Sequence, residues 1–172
     1  MAGPLDGIRV LDLGRFIACP FGAMLLADLG AEVIRVERST GGIDRFYGFL
    51  SASGDNYVFI NSARNKKGIS LNFERNEKAR EILNELVKHS DVVMENFSPA
   101  AAEAMGITYD NLKTVKPDII FAHISGFGAT GPYSHRLGYD QLGKAMSGAM
   151  VISGFPGTPT RSQVPWVDYS TA

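Results

Sequence analysis

Three groups of residues in this chain have types and spacings that can do chemistry. Asp168 lies in an apolar run, Val164 to Tyr169, behind a proline-rich loop. A carboxylate flanked by Val167 and Tyr169 can be partly desolvated, which raises its pKa and its nucleophilicity. The same Asp, followed by Tyr, Ser and Thr, also reads as a helix N-cap, and pattern alone favours the cap. Arg38, Lys66, Lys67 and Arg75 stand near predicted strand or turn ends, and Asn96-Phe97 adds an amide and an aromatic face. Phosphates pair with Arg or Lys and a flat base stacks on an aromatic ring, so this set can hold a nucleotide-containing molecule such as coenzyme A. Ordinary solvated surface charge would give the same spacing. Gly126 to Gly131 (GFGATG) matches GxGxxG after a strand, which can aim backbone N–H groups at a pyrophosphate. It follows a late strand, runs into Pro132 and lacks a strand-ending acid at the dinucleotide distance. A glycine-rich loop over some other ligand is therefore expected.

Other chemistries find little support. His89, His123 and His135 lack metal-ligand spacing, and no Cys or acid cluster joins them, so zinc catalysis is not expected. His89 reads as helix surface and His123 as a satisfied core histidine. Cys19 falls at a predicted helix N-terminus, where thiolate is favoured, but its small-residue context reads as packing. There is no Gly-x-Ser-x-Gly elbow for a serine hydrolase and no Walker-type phosphate loop.

The elements that must position these groups alternate. Ile8 to Leu13 is a branched-aliphatic strand, Pro20 to Leu29 a helix stopped by Gly30, and Glu32 to Arg38 a second strand. Strand, helix and strand in that order make a right-handed parallel crossover. Residues 41–56 read as a surface excursion, and Val58 to Ala63 as a short helix or strand. Asn65 to Gly68 is expected as a basic turn and Ile69 to Phe73 as a strand. Asn76 to Ser90 is the clearest helix, and Asp91 to Glu95 is strand-like. Ser98-Pro99 caps a helix running through Ala104, and Thr108 caps another from Tyr109 to Val115. Ile119 to Ser125 is the most buried-looking strand, and Tyr139 to Met150 is expected as one helix. The pattern predicts an α/β domain with a mostly parallel sheet, whose ligands bind beyond the carboxyl ends of the strands. Those ends feed residues 14–20, 37–42, 96–99 and 126–139.

Composition agrees with one soluble domain. A net charge of -1 gives no basis for nucleic-acid binding or a polybasic membrane patch. No apolar run is long enough to span a bilayer, and residues 1–6 do not read as a signal peptide. A single cysteine excludes an internal disulfide and points to a reducing, cytoplasmic compartment. The chain stops at Ala172 just as a helix begins, which suggests the N-terminal part of a longer polypeptide.

The stretches PLDGIRVLDL, LLADLGAEVIRVER, NKKGISLN, DVVMENFSPAAAEAMG, ISGFGATGPY, GYDQLGKAMSG and VDYSTA resemble the N-terminal part of family III coenzyme A transferases (CaiB/BaiF type), the group containing formyl-CoA and carnitine-CoA transferases. They occur in family order over nearly the whole chain. The resemblance implies a Rossmann-like domain, a further small domain beyond this chain, and two subunits interlocked as a homodimer. It implies acyl-CoA and a small carboxylic acid as substrates, with no tightly bound cofactor and no metal. It places Asp168 at the nucleophile position, against the cap reading. It maps CoA contacts to Phe16, Ile17, Ala18, Arg38, Asn96 and Phe97, with Asn72 and Arg75 added. Ile17 replaces a glutamine of the formyl-CoA enzyme, which argues against formyl or oxalyl transfer. Ala104 replaces a basic residue of some members. Related α-methylacyl-CoA racemases carry a catalytic histidine where Tyr139 stands, which argues for transfer over racemisation. An inactive CoA-binding module is the third reading.

Overall fold

The computed structural model describes residues 3–52, 54 and 56–172 of the chain. In chain order the elements are β1 (Arg9–Asp12), α1 (Ala18–Asp28), β2 (Glu32–Glu37), α2 (Tyr57–Ala63), β3 (Lys66–Ser70), α3 (Glu77–Lys88), β4 (Val92–Glu95), α4 (Pro99–Ala104), α5 (Tyr109–Val115), β5 (Ile120–His123), α6 (Asp140–Met146), α7 (Ala149–Ile152) and α8 (Trp166–Thr171). The five strands form one sheet in the order β3-β2-β1-β4-β5, and every pairing is parallel. Helices cover both faces, so the expected α/β architecture is the one observed.

Local chemistry explains most boundaries. The Asn76, Ser98 and Thr108 side chains each accept a hydrogen bond from the first turn of the helix they precede, and Pro99 opens α4. On one face of the sheet Leu11, Val36 and Val93 pack with Leu83 and Val87 of α3 and Leu112 of α5. On the other, Val10, Val33 and Met94 pack with Cys19, Ala23 and Ala27 of α1. The alanines let α1 lie close to the sheet, and each larger side chain buried here contributes about 1.5–3 kcal/mol.

Four expectations are corrected. The Ile119–Ser125 segment is not the most buried strand: β5 is a sheet edge, and Ile120 is 61 % exposed. Apolar composition alone does not reveal whether a strand has a neighbour on its far side. The basic turn at 65–68 is mostly the start of β3, reached through Asn65 in the left-handed region (φ 59°). The single helix expected over 139–150 divides into α6 and α7 because Gly148 takes φ 77°. The 41–56 excursion, whose positions 53 and 55 lie outside the described residues, is not purely a surface feature, since it delivers Asp44 to the interior with no exposed surface. The ambiguous segment near Val58 is the helix α2, capped by the Asn56 side chain.

The strand order reverses direction beside β1. The first crossovers build outward through β2 and β3, and the chain then returns to place β4 and β5 on the other side. A crevice opens at such a reversal, outside the carboxyl ends of the two central strands.

Candidate active site

A cleft of about 370 Å³ occupies that position. Its walls are Arg15 to Ala18 after β1, Asn96 to Pro99 after β4, Ile124 to Phe127 after β5, and residues of α6 and α8 including Asp168. The loops after β1 and β4 are tied together. Asn96 accepts the Arg15 N–H at 2.7 Å and donates its amide to the Arg15 carbonyl at 2.8 Å. The Arg15 guanidinium then lies 5.5 Å from the centre of the Phe97 ring. Phe16 is held at φ 60°, an uncommon region for a bulky residue, and its ring meets Tyr47 and Tyr139 edge-on. Ile17 and Ala18 are buried at the start of α1.

Below this floor Glu95 and His123 face each other across β4 and β5, and the Glu95 carboxylate bonds to His123 Nδ1. Its other oxygen accepts the Phe97 N–H at 2.6 Å. The hydrogen bond to Glu95 raises the His123 pKa against a smaller opposing effect of burial. His123 is therefore paired as expected, although at a strand edge.

The glycine motif has a steric role. Gly126 and Gly138 cross so closely that a Cβ on either would lie within 2.4 Å of the other's Cα. Gly128 and Gly131 take φ values of 75° and 96°. This crossing turns the chain back over the cleft and delivers Tyr139 and α6. A second close approach positions α8: a Cβ on Gly143 would sit 2.9 Å from Val167 Cγ1. Tyr169 anchors α8 to α1 through an edge-on contact with Phe21, ring centres 4.8 Å apart.

Asp168 is not the cap of α8. Pro165 holds the cap position, and Asp168 lies within the first turn. Among the described residues its carboxylate has no hydrogen-bond or ion-pair partner, yet it lines the cleft, half-buried. Burial, then the negative charge of Asp140, push its pKa up to about 6, with Lys144 pulling the other way. Asp140 and Lys144 are the residues that sequence reasoning missed. Asp140 accepts the Val167 N–H at 2.9 Å and pairs with Lys144 at 2.5 Å. Lys144 is 1 % exposed and also donates to the carbonyls of Val164 (2.5 Å) and Ser162 (3.2 Å). The signal available was the Asp-to-Lys spacing of four within GYDQLGK, which puts both charges on one helical face.

The expected site residues thus divide. Phe16, Ile17, Ala18, Asn96, Phe97 and Asp168 share the cleft. Arg38, Asn72 and Arg75 lie outside its walls and are exposed, Arg38 being engaged with Glu74. Lys66 is no surface cation. Its side chain is 2 % exposed and donates to Asp12 at 2.7 Å and to the Pro20 carbonyl at 2.6 Å. Cys19 is fully buried, and burial followed by the nearby Asp12 charge drives its thiol well above the ordinary range, so it is a packing residue. No group of three or more His, Cys, Asp or Glu among the described residues is placed to hold a metal ion. No helix among them is long and apolar enough to cross a membrane.

Residues 5–172 match the model of CoA-transferase family III. The chain is 44 % identical over 170 residues to succinyl-CoA:glutarate CoA-transferase of Mus musculus, covering 98 % of this chain and 39 % of that protein. It is 40 % identical over 171 residues to the succinyl-CoA–L-malate CoA-transferase beta subunit of Chloroflexus aurantiacus, covering 98 % and 42 %. A crystal structure of a CAIB/BAIF family protein from Brucella suis superposes with a TM-score of 0.89 at 38 % identity, over 98 % of this chain and 46 % of that one. The chain spans less than half the length of these relatives.

Proposed function

Because this chain belongs to CoA-transferase family III, we propose that it forms the nucleotide-fold part of an enzyme that moves coenzyme A from an acyl-CoA to a carboxylic acid, with Asp168 as the nucleophile. The observation that carries this reading is Asp168 itself. It is a carboxylate in the cleft with no protein partner among the described residues, pushed up to about 6 and so ionised but poorly stabilised at neutral pH.

The reaction this geometry supports runs through the side chain. An Asp168 oxygen attacks the thioester carbonyl, the C–S bond breaks, and CoA leaves as thiolate with an aspartyl–acyl anhydride behind. The thiolate attacks the aspartyl carbonyl of that anhydride and expels the donor carboxylate, giving an aspartyl-CoA thioester. The acceptor carboxylate attacks this thioester and releases the thiolate again. The thiolate then attacks the acceptor's acyl carbonyl, forming the new acyl-CoA and restoring Asp168. No net proton is taken up. A carboxylate suits the task because its anhydride can be attacked at either carbonyl.

The remaining residues hold and shield. Phe16, Ile17, Ala18 and Phe97 offer apolar and aromatic surface to the nucleotide, while Asn96 fixes the Arg15 backbone beside it. Arg38, Arg75 and Asn72, exposed and outside the cleft walls, are assigned to the phosphorylated end on the family resemblance alone. Asp140 and Lys144 keep α8 in place and set the field at Asp168. Coenzyme A is substrate here rather than a resident cofactor. Relatives named for succinyl-CoA with glutarate or L-malate support short carboxylic acids as exchange partners. A second copy of the chain belongs to the reading. Ile152, at the end of α7, and Phe155, just after it, are 87 % and 79 % exposed, as surface awaiting a partner would be.

The test is mass spectrometry of the protein incubated with an acyl-CoA and trapped with hydroxylamine or borohydride. Label on Asp168 is the expected result. An unlabelled Asp168 in protein that has bound CoA would remove it as nucleophile.

A further inference from the structure

Arg15, on the wall of the cleft, and Arg38 beside it share one anion of the chain itself, Glu74. Arg38 leaves the end of β2 and sets its guanidinium on Glu74, with Nε at 3.1 Å and Nη2 at 2.8 and 2.6 Å from the carboxylate oxygens. That is the forked arrangement a guanidinium makes with a carboxylate or a phosphate. The same carboxylate lies 3.7 Å from Nη2 of Arg15, the residue whose guanidinium rests over Phe97. Burial lowers the Arg15 pKa, and the Arg38 charge adds to the effect, so these two cations strain against each other and Glu74 relieves them. Glu74 is the sheltered member, its side chain 18 % exposed, whereas Arg38 is 56 % exposed and faces water.

We propose that Glu74 is a built-in substitute for phosphate: it holds Arg38 and Arg15 ready in the free chain, and a phosphate of the incoming acyl-CoA must displace it, so Glu74 limits affinity for the phosphorylated end. The inference rests on the coenzyme A reading above and assigns a specificity residue within it. The phosphomonoester on the ribose of coenzyme A carries more charge than a carboxylate and a third acceptor oxygen, so it competes well for the same fork. The competition still costs affinity, because the displaced carboxylate stays close to the phosphate and repels it. Both groups touch solvent, so the cost is modest and sensitive to salt.

The experiment is calorimetric titration of the wild-type protein and Glu74→Gln with coenzyme A and, separately, with pantetheine, which lacks the phosphates. The variant keeps the side-chain shape and removes the charge. At low salt it should bind coenzyme A roughly 1.5- to fivefold more tightly, the range an exposed charge pair supports. The gain should shrink as salt is added and be absent for pantetheine. Unchanged or weaker coenzyme A binding by Glu74→Gln would overturn the inference and leave the ligand reading intact. An equal gain on pantetheine would also overturn it, since the effect would not involve phosphate. If neither protein binds coenzyme A, the ligand reading itself fails and takes this inference with it.

Discussion

Two clusters of buried charge in this chain use the same residue types to opposite ends. Beneath β1, β2 and β3, Asp12, Glu37 and Asp44 meet Lys66, Arg35 and Arg45. Beside the cleft, Asp140 and Asp168 share Lys144, which pairs with Asp140 alone. Burial pushes Asp12 upward, but Lys66 and Arg35, helped by the Gly14 N–H, outweigh it and hold Asp12 below its ordinary value. Asp44 receives Arg35 on one oxygen while the other has no hydrogen-bond partner among the described residues, and burial wins, so its pKa rises. Asp168 has no partner among the described residues and a negative neighbour, and reaches about 6. The three carboxylates form a series ordered by how many donors each receives rather than by depth. Asp168 is less buried than either of the others. Asp12, which holds the fold, is saturated with donors, whereas Asp168, the proposed nucleophile, is left unsatisfied at an open cleft.

The largest effect should come from removing the unsatisfied member. Asp168→Ala should lower CoA transfer by on the order of 10⁴-fold or more, as loss of a covalent nucleophile does. Its unfolding midpoint should hold or rise slightly, because no hydrogen bond is lost and a poorly stabilised charge is removed. Turnover near wild type would break the comparison at its functional end. Lys66→Met tests the saturated cluster. It strips Asp12 of its closest cation, and removing one side of a buried pair costs about 3–5 kcal/mol. Urea unfolding should show that loss, and a stability unchanged from wild type would mean that donor saturation does not hold this end of the sheet.

A subtler change converts one cluster partway toward the other. Asp140→Asn keeps an oxygen for the Val167 N–H but removes the negative neighbour, leaving Lys144 to act on Asp168 without competition. Burial still acts, so the Asp168 pKa should move down from about 6 without reaching the ordinary carboxylate value. The acid limb of kcat/KM against pH, which reports the free enzyme, should shift the same way, with activity at pH 5 raised about two- to fivefold relative to each protein's plateau. An unmoved limb would show that burial alone sets the nucleophile.

Much of this was legible in the sequence where the causes are local. Thr108 before Tyr109 and Pro117 after Val115 set the bounds of α5, and Ser98-Pro99 opened α4 as expected. What failed to show depends on contacts distant along the chain. Lys66 reads as a turn cation until Asp12, in β1, is placed beside it. Ile120 reads as core until β5 is found at the edge of the sheet. Asp168 reads as a cap because Asp before Tyr-Ser-Thr is a good cap, whereas the helix starts earlier, at a Pro165 that offers no side-chain acceptor. The resemblance to known transferases, not the pattern, singled out that aspartate. The Asp140–Lys144 pair was written in helical spacing, but only the tertiary contact with Val167 gives it a purpose.

The smallest effect concerns a carboxylate whose partner can itself lose its charge. Glu95 has no exposed surface and divides its oxygens between His123 and the Phe97 N–H. The bond to Glu95 raises the His123 pKa in the folded chain, so between the unfolded value near 6.5 and the raised folded value the native state binds more protons than the unfolded one. Stability supplied by this pair is therefore complete below about pH 6.5 and is lost as pH rises through the folded value. His123 is partly exposed, so the loss should stay within about 1 kcal/mol. Unfolding measured across that window for wild type and His123→Gln should give curves that converge as pH rises, since the glutamine does not titrate. A constant offset would mean that Glu95 is satisfied by His123 in either state of the ring. Glu95 would then belong with Asp12 among the saturated carboxylates, and the floor under Phe97 would be indifferent to pH.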